Sequence, residues 1–128
     1  MPRGSYAPFQ PARRPGRRPT ARPRYRVLVH RQYADLWAQL PQRVGLESAL
    51  QFWDHVANTP GQPPAVGSAS ILRGKRGEPQ ASGFSRTVHY EISGAGRVNY
   101  QYHDAYTGGA RGDPHPVVCI LSIELGSH

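Results

Sequence analysis

The chain has a single cysteine, Cys119, so it cannot form an internal disulfide, and a fold held together by staples is excluded. No long apolar run is present. The best, Val117-Val118-Cys119-Ile120-Leu121, is far too short to cross a bilayer as a helix. The Arg13-Arg14 pair is followed by no apolar stretch, which argues against an export signal. A lone thiol without an export signal fits a reducing compartment, so a cytoplasmic location with no membrane contact is the expectation.

Acidic residues are missing from one part of the chain. Residues 1–24 contain seven arginines and no acid, whereas residues 25–128 carry nine Lys or Arg against eight acids. The net charge of +8 therefore belongs almost entirely to the first segment. That segment also holds six prolines and little to pack. Such composition excludes a regular helix and predicts a disordered, counterion-releasing tail over 1–24, able to make nonspecific contacts with phosphate. The domain is expected to begin at Tyr25, and about 100 residues is enough for one core.

From Tyr25 the pattern changes. Residues 25–30 (Tyr-Arg-Val-Leu-Val-His) are short and β-branched, a strand. Tyr33, Leu36, Trp37 and Leu40 recur at helical spacing, and Pro41 is expected to close that helix. Leu46, Ala49, Leu50, Trp53, Val56 and Ala57 mark a second helix, ended by Asn58-Thr59-Pro60-Gly61. Both tryptophans fall on the apolar face and read as core. Strands follow at 68–72, 85–92, 97–103 and 117–125, with a Gly/Pro loop over 104–116. The order β-α-α-β-β-β-β describes an α+β fold, an antiparallel-rich twisted sheet with a helical hairpin on one face.

Alternation assigns the two sheet faces. With Val88, Tyr90, Ile92, Val98, Tyr100 and Tyr102 turned to the helices, the other face receives Thr87, His89, Glu91, Arg97, Asn99, Gln101 and His103. Ser122 and Glu124 join it if Cys119, Leu121, Ile123 and Leu125 point inward. A solvated face needs no functional explanation. Two histidines, two carboxylates and an arginine on neighbouring strands are nevertheless a richer set than solvation requires. Nearby, Leu72-Arg73-Gly74-Lys75-Arg76-Gly77 is a compact basic loop without the spacing of a phosphate-binding P-loop. Arg111-Gly112-Asp113 is turn composition. His103, Asp104 and His115 lack a metal-ligand spacing, so neither a metal nor another cofactor is expected.

Residues 25–128 resemble the RelE/ParE toxin superfamily, in particular its RelE-like, ribosome-dependent mRNA interferase branch. The resemblance rests on the β-α-α-β order, on Leu72-Arg73-Gly74 after the helices, on Gly83-Phe84-Ser85-Arg86-Thr87-Val88, and on Gly96-Arg97-Val98-Asn99-Tyr100. It implies a toxin of a type II toxin–antitoxin system, a metal-independent endoribonuclease that cleaves mRNA on the ribosome through 2′-OH attack and so blocks translation. It also implies mRNA, the ribosome with its 16S rRNA, and a cognate antitoxin protein as partners. Arg97 takes the position of the catalytic or phosphate-binding arginine. His89, Glu91, Glu124 and the terminal His128 form the acid/base pool. Arg73, Lys75, Arg76 and Arg86 are the implied RNA contacts. The 104–116 loop is longer than the family's tight connection, and no aromatic acid follows the last strand. Two alternatives stay open: a gyrase-inhibiting ParE-like toxin, and a catalytically degenerate RNA-binding relative.

Overall fold

A computed structural model describes residues 6–19, 22–65, 67–94, 96–107 and 113–126. The fold is α+β. Six strands form an open mixed sheet: β1 (Phe9–Pro11), β2 (Arg26–His30), β3 (Ser68–Ile71), β4 (Val88–Glu91), β5 (Gly96–Tyr106) and β6 (His115–Leu125). Two helices, α1 (Ala34–Val44) and α2 (Leu46–Asn58), lie between β2 and β3 in the chain. The strand order is β1-β2-β6-β5-β4-β3. Only the β2–β6 pairing is parallel, which the intervening helices and strands allow. Among the described residues no helix is long and apolar enough to cross a membrane.

The helices form because apolar residues recur on one stripe of each. Trp37 and Leu40 from α1, and Ala49, Phe52, Trp53, Val56 and Ala57 from α2, are buried against the sheet. Pro41 does not close the first helix as its sequence suggests. It removes one N–H donor, yet α1 continues to Val44 and stops at Gly45, whose φ of 95° suits glycine. Phe52 is the hub of the core. Its ring meets Tyr90 at 4.9 Å, Trp37 at 6.0 Å and Tyr100 at 6.1 Å, all near edge-to-face.

The arginine-rich segment departs most from expectation. Residues 6–19 and 22–24 are ordered parts of the fold, and the boundary at Tyr25 has no structural counterpart. β1 pairs antiparallel with β2 as an edge strand, where a proline costs no ladder bond. The chain then runs as a strap over the helical hairpin. The indole N–H of Trp53 donates to the Ala12 carbonyl at 2.8 Å, and that of Trp37 to the Arg13 carbonyl at 3.1 Å. Arg14 grips Asp54 with two guanidinium nitrogens, at 2.8 and 3.0 Å. Ala12 and Pro15 are buried. Proline density excludes a helix but not an extended edge strand. Two of the strap's three anchors are backbone carbonyls, which hydropathy does not register.

Two register shifts also correct the alternation. Asn99 faces Ser122 while Tyr100 faces Ile120, so Leu121 is bulged out of the ladder. Before the bulge, Val118 and Ile120 face the helices and join the main core, and after it Ile123 does. Cys119 and Leu121 thus turn to the opposite face, against the expected inward set. A further shift between His103 and Tyr106 lets β5 and β6 extend into the expected 104–116 loop, with Tyr106 opposite His115.

Candidate active site

The non-helical face is divided by a covering loop. Gln101, in mid-β5, is 1 % exposed. Its amide nitrogen donates to the Glu78 carbonyl at 2.8 Å and to the Thr87 hydroxyl at 3.0 Å, and its oxygen accepts from the Gln80 N–H at 2.9 Å. These bonds hold residues 78–80 over the sheet. Below them Leu28, Val117 and Cys119 form a second apolar cluster with Phe9, Phe84 and Tyr106 packed on it. His103 belongs to this covered half. Its ring meets Phe84 at 5.0 Å, and its Nδ1 accepts from the Ala105 N–H at 3.0 Å.

The other half is open and polar. The cross-strand register builds two adjacent rows: Ser68, Glu91, Arg97 and Glu124 in one, and Ser70, His89, Asn99 and Ser122 in the other. Four of the five expected catalytic residues, His89, Glu91, Arg97 and Glu124, therefore come together from three strands. Glu91 accepts from the Ser68 hydroxyl at 3.0 Å and stands 3.6 Å from the Arg97 Nε. Both partners of that ion pair are substantially exposed, so it orients them more than it stabilises the fold. Arg97 Nη1 also donates to the Gly96 carbonyl at 3.1 Å.

Asn99, 6 % exposed, organises the second row. Its Nδ2 donates to the Ser122 hydroxyl at 2.8 Å and reaches Glu124 Oε2 at 3.4 Å. An ionised carboxylate only accepts, so the amide nitrogen must face it. The amide oxygen then faces His89 Nδ1 at 2.6 Å. An oxygen that only accepts requires Nδ1 to carry hydrogen. In the neutral imidazole the lone pair is then on Nε2, a base held in one tautomer and one orientation. Glu124, Asn99 and His89 thus form a continuous relay beside the Arg97 guanidinium. Sequence alternation put Asn99 on this face without giving it a role, and it could not reveal the orienting function, which depends on cross-strand register.

The other expected residues are not part of this assembly. Arg73 lines a cleft with Ile71, Val88 and Tyr102, on the helical side of the sheet edge. The resemblance implied an RNA contact at Arg73, yet it stands apart from the polar rows. Arg86 is committed to the backbone: its Nε donates to the Leu72 carbonyl at 3.1 Å and its Nη2 to the Gly74 carbonyl at 2.8 Å. It clasps the basic loop closed, and Gly77 leaves room for it, since a Cβ there would lie 1.9 Å from the Leu72 oxygen. Lys75 and Arg76 are exposed on the short 3-10 turn Gly74–Gly77. His128 lies outside the described residues. Among the described residues no cluster of His, Cys, Asp or Glu could hold a metal ion. Burial pushes the Cys119 thiol up to about 12, which keeps it protonated and unsuited to nucleophilic work.

No protein-family model, curated protein or solved structure matches the chain.

Proposed function

We propose that this protein is a metal-independent endoribonuclease, a RelE-like toxin acting on mRNA at the ribosome and neutralised by a cognate antitoxin protein. The observation that carries the reading is the Glu124–Asn99–His89 relay beside Arg97 on an open sheet face. RNA brings its own nucleophile, so the protein need supply only a base, charge stabilisation and alignment. His89 Nε2 takes the proton from a ribose 2′-OH. The 2′-oxygen bonds to the adjacent phosphorus, the bond to the 5′-oxygen breaks, and the departing oxygen collects a proton from the water wetting this face. A positioned base contributes about 10²–10⁴-fold. Arg97 offsets the charge that gathers on the phosphorane oxygens, and loss of one such donor typically costs about 10²–10³-fold. Glu91 holds the Arg97 side chain over the row.

The test is inducible expression with mapping of RNA 5′ ends, for the wild type and Arg97→Ala. Codon-phased cuts with growth arrest by the wild type, and neither by a folded Arg97→Ala, are expected. Full arrest by the variant at equal abundance would remove Arg97 from the chemistry. DNA breaks with intact mRNA would refute the nuclease reading altogether.

A further inference from the structure

The open row holds one arginine and two carboxylates, so it offers little net attraction to a polyanion. Two adjoining cavities that the chemistry above does not use lie away from this row, one in the covered half of the same face and one at the end of the sheet where β2 begins. The first is a pocket of about 170 Å3 whose walls are the rings of Tyr6, Phe9, Phe84 and Tyr106, with Leu28 and Cys119 beneath. It contains no charged side chain, and its cysteine stays neutral. The second is a cleft of about 510 Å3 at the start of β2, lined by Arg22, Arg24 and Arg26 and, from the helical side, by Ala12, Val27 and Trp53. Tyr6 lines both cavities. Its hydroxyl accepts from an Arg26 guanidinium nitrogen and lies 2.9 Å from His115 Nε2, so the two cavities share one wall.

We infer that the aromatic pocket and the arginine cleft form a docking track for single-stranded RNA, with one base in the pocket and the backbone along Arg22, Arg24 and Arg26. This rests on the ribonuclease reading and extends it to how substrate is held. Arg22, Arg24 and Arg26 lie within five residues of chain and line the same cleft, which gathers three positive charges on one short stretch. None of the three has a carboxylate partner among the described residues; Arg26 donates to the Tyr6 hydroxyl, and Arg24 sits 5.7 Å from the centre of the Tyr25 ring. The nearby Asp104 carboxylate is occupied by the Tyr25 hydroxyl at 2.6 Å. An uncharged pocket walled by rings accepts a flat base of any identity, but only one that is unstacked, which selects single strands over duplex. The track starts near Pro116 and the open row ends at Glu124. Eight residues of β6 separate them, about 26 Å along the strand.

The test is binding of the full-length chain to a fluorescent oligouridylate as a function of salt. The variants are the triple Arg22→Ala/Arg24→Ala/Arg26→Ala and the single Phe84→Leu, which keeps apolar volume but removes a ring face. Thermal melting confirms that each is folded. The triple variant is expected to lower the slope of log K against log salt by about 2, at about 0.7 per phosphate. Phe84→Leu is expected to leave the slope unchanged and weaken binding about tenfold. An unchanged slope in the triple variant, with RNA still bound and cut, overturns the track and leaves the nuclease reading intact. A wild type that binds no RNA overturns both. Arginine-dependent binding to phosphatidylserine vesicles without RNA binding overturns the track in favour of a membrane surface.

Discussion

Replacing Asn99 by alanine breaks the relay at its centre. Three hydrogen bonds are lost, to His89 at 2.6 Å, to Ser122 at 2.8 Å and, weakly, to Glu124 at 3.4 Å. Each is worth about 1 kcal/mol net when its partner is left behind, but His89 and Ser122 are only half-buried and regain water. The expected cost to stability is therefore about 1–2 kcal/mol, or about 4–8 °C in Tm for a domain of this size. The functional consequence is larger and separable. Without the amide oxygen, nothing obliges His89 Nδ1 to carry the hydrogen, and the ring is free to turn. Cleavage should fall about tenfold to hundredfold, a share of what a positioned base supplies. The decisive assay is nitrogen-15 NMR of the imidazole above its titration range. The wild type should show the Nδ1–H tautomer, and Asn99→Ala a mixture dominated by Nε2–H. A wild-type His89 found with hydrogen on Nε2, or a folded variant with an unaltered tautomer, would refute the assignment of His89 as the oriented base, whatever the substrate.

Deletion of residues 2–24 should destabilise the protein by at least about 3 kcal/mol, since it removes β1, both indole acceptors and the Arg14–Asp54 pair. Tryptophan emission should shift to the red as Trp37 and Trp53 lose their cover; an unchanged Tm and spectrum would show that the strap does not contribute. His55 should make the fold acid-sensitive. Burial lowers its pKa below the usual 6.5, partly offset by the Gln62 backbone. The unfolded chain therefore binds a proton before the native one does, and stability falls as pH drops through about 6.5 towards the lower native value, with no further loss from this group below that. Urea midpoints measured between about pH 7 and pH 5 should show this slope, and His55→Gln should flatten it; equal slopes in both proteins would assign the acid sensitivity elsewhere.

Local pattern was enough for the central elements. Period-two alternation in β4 and β5 put His89, Glu91, Arg97 and Asn99 on one face, because strand geometry alone sends alternate side chains to opposite sides. Helical spacing put Trp37 and Trp53 in the core, since an amphipathic stripe has nowhere else to go. Composition likewise located the excess positive charge in residues 1–24. Tertiary structure decided the rest. The bulge at Leu121 exchanged the faces of Cys119 and its neighbours, and a one-residue insertion in a ladder leaves no trace in alternation until the partner strand is known. Hydrogen bonds from Arg86 to two loop carbonyls withdrew a cation that composition had counted as free. Two indole N–H groups and one aspartate, each more than twenty residues away in the chain, turned a proline-rich segment into an edge strand and a strap. The indoles reach backbone carbonyls, common to every residue, so only folding decides which of them a side chain meets.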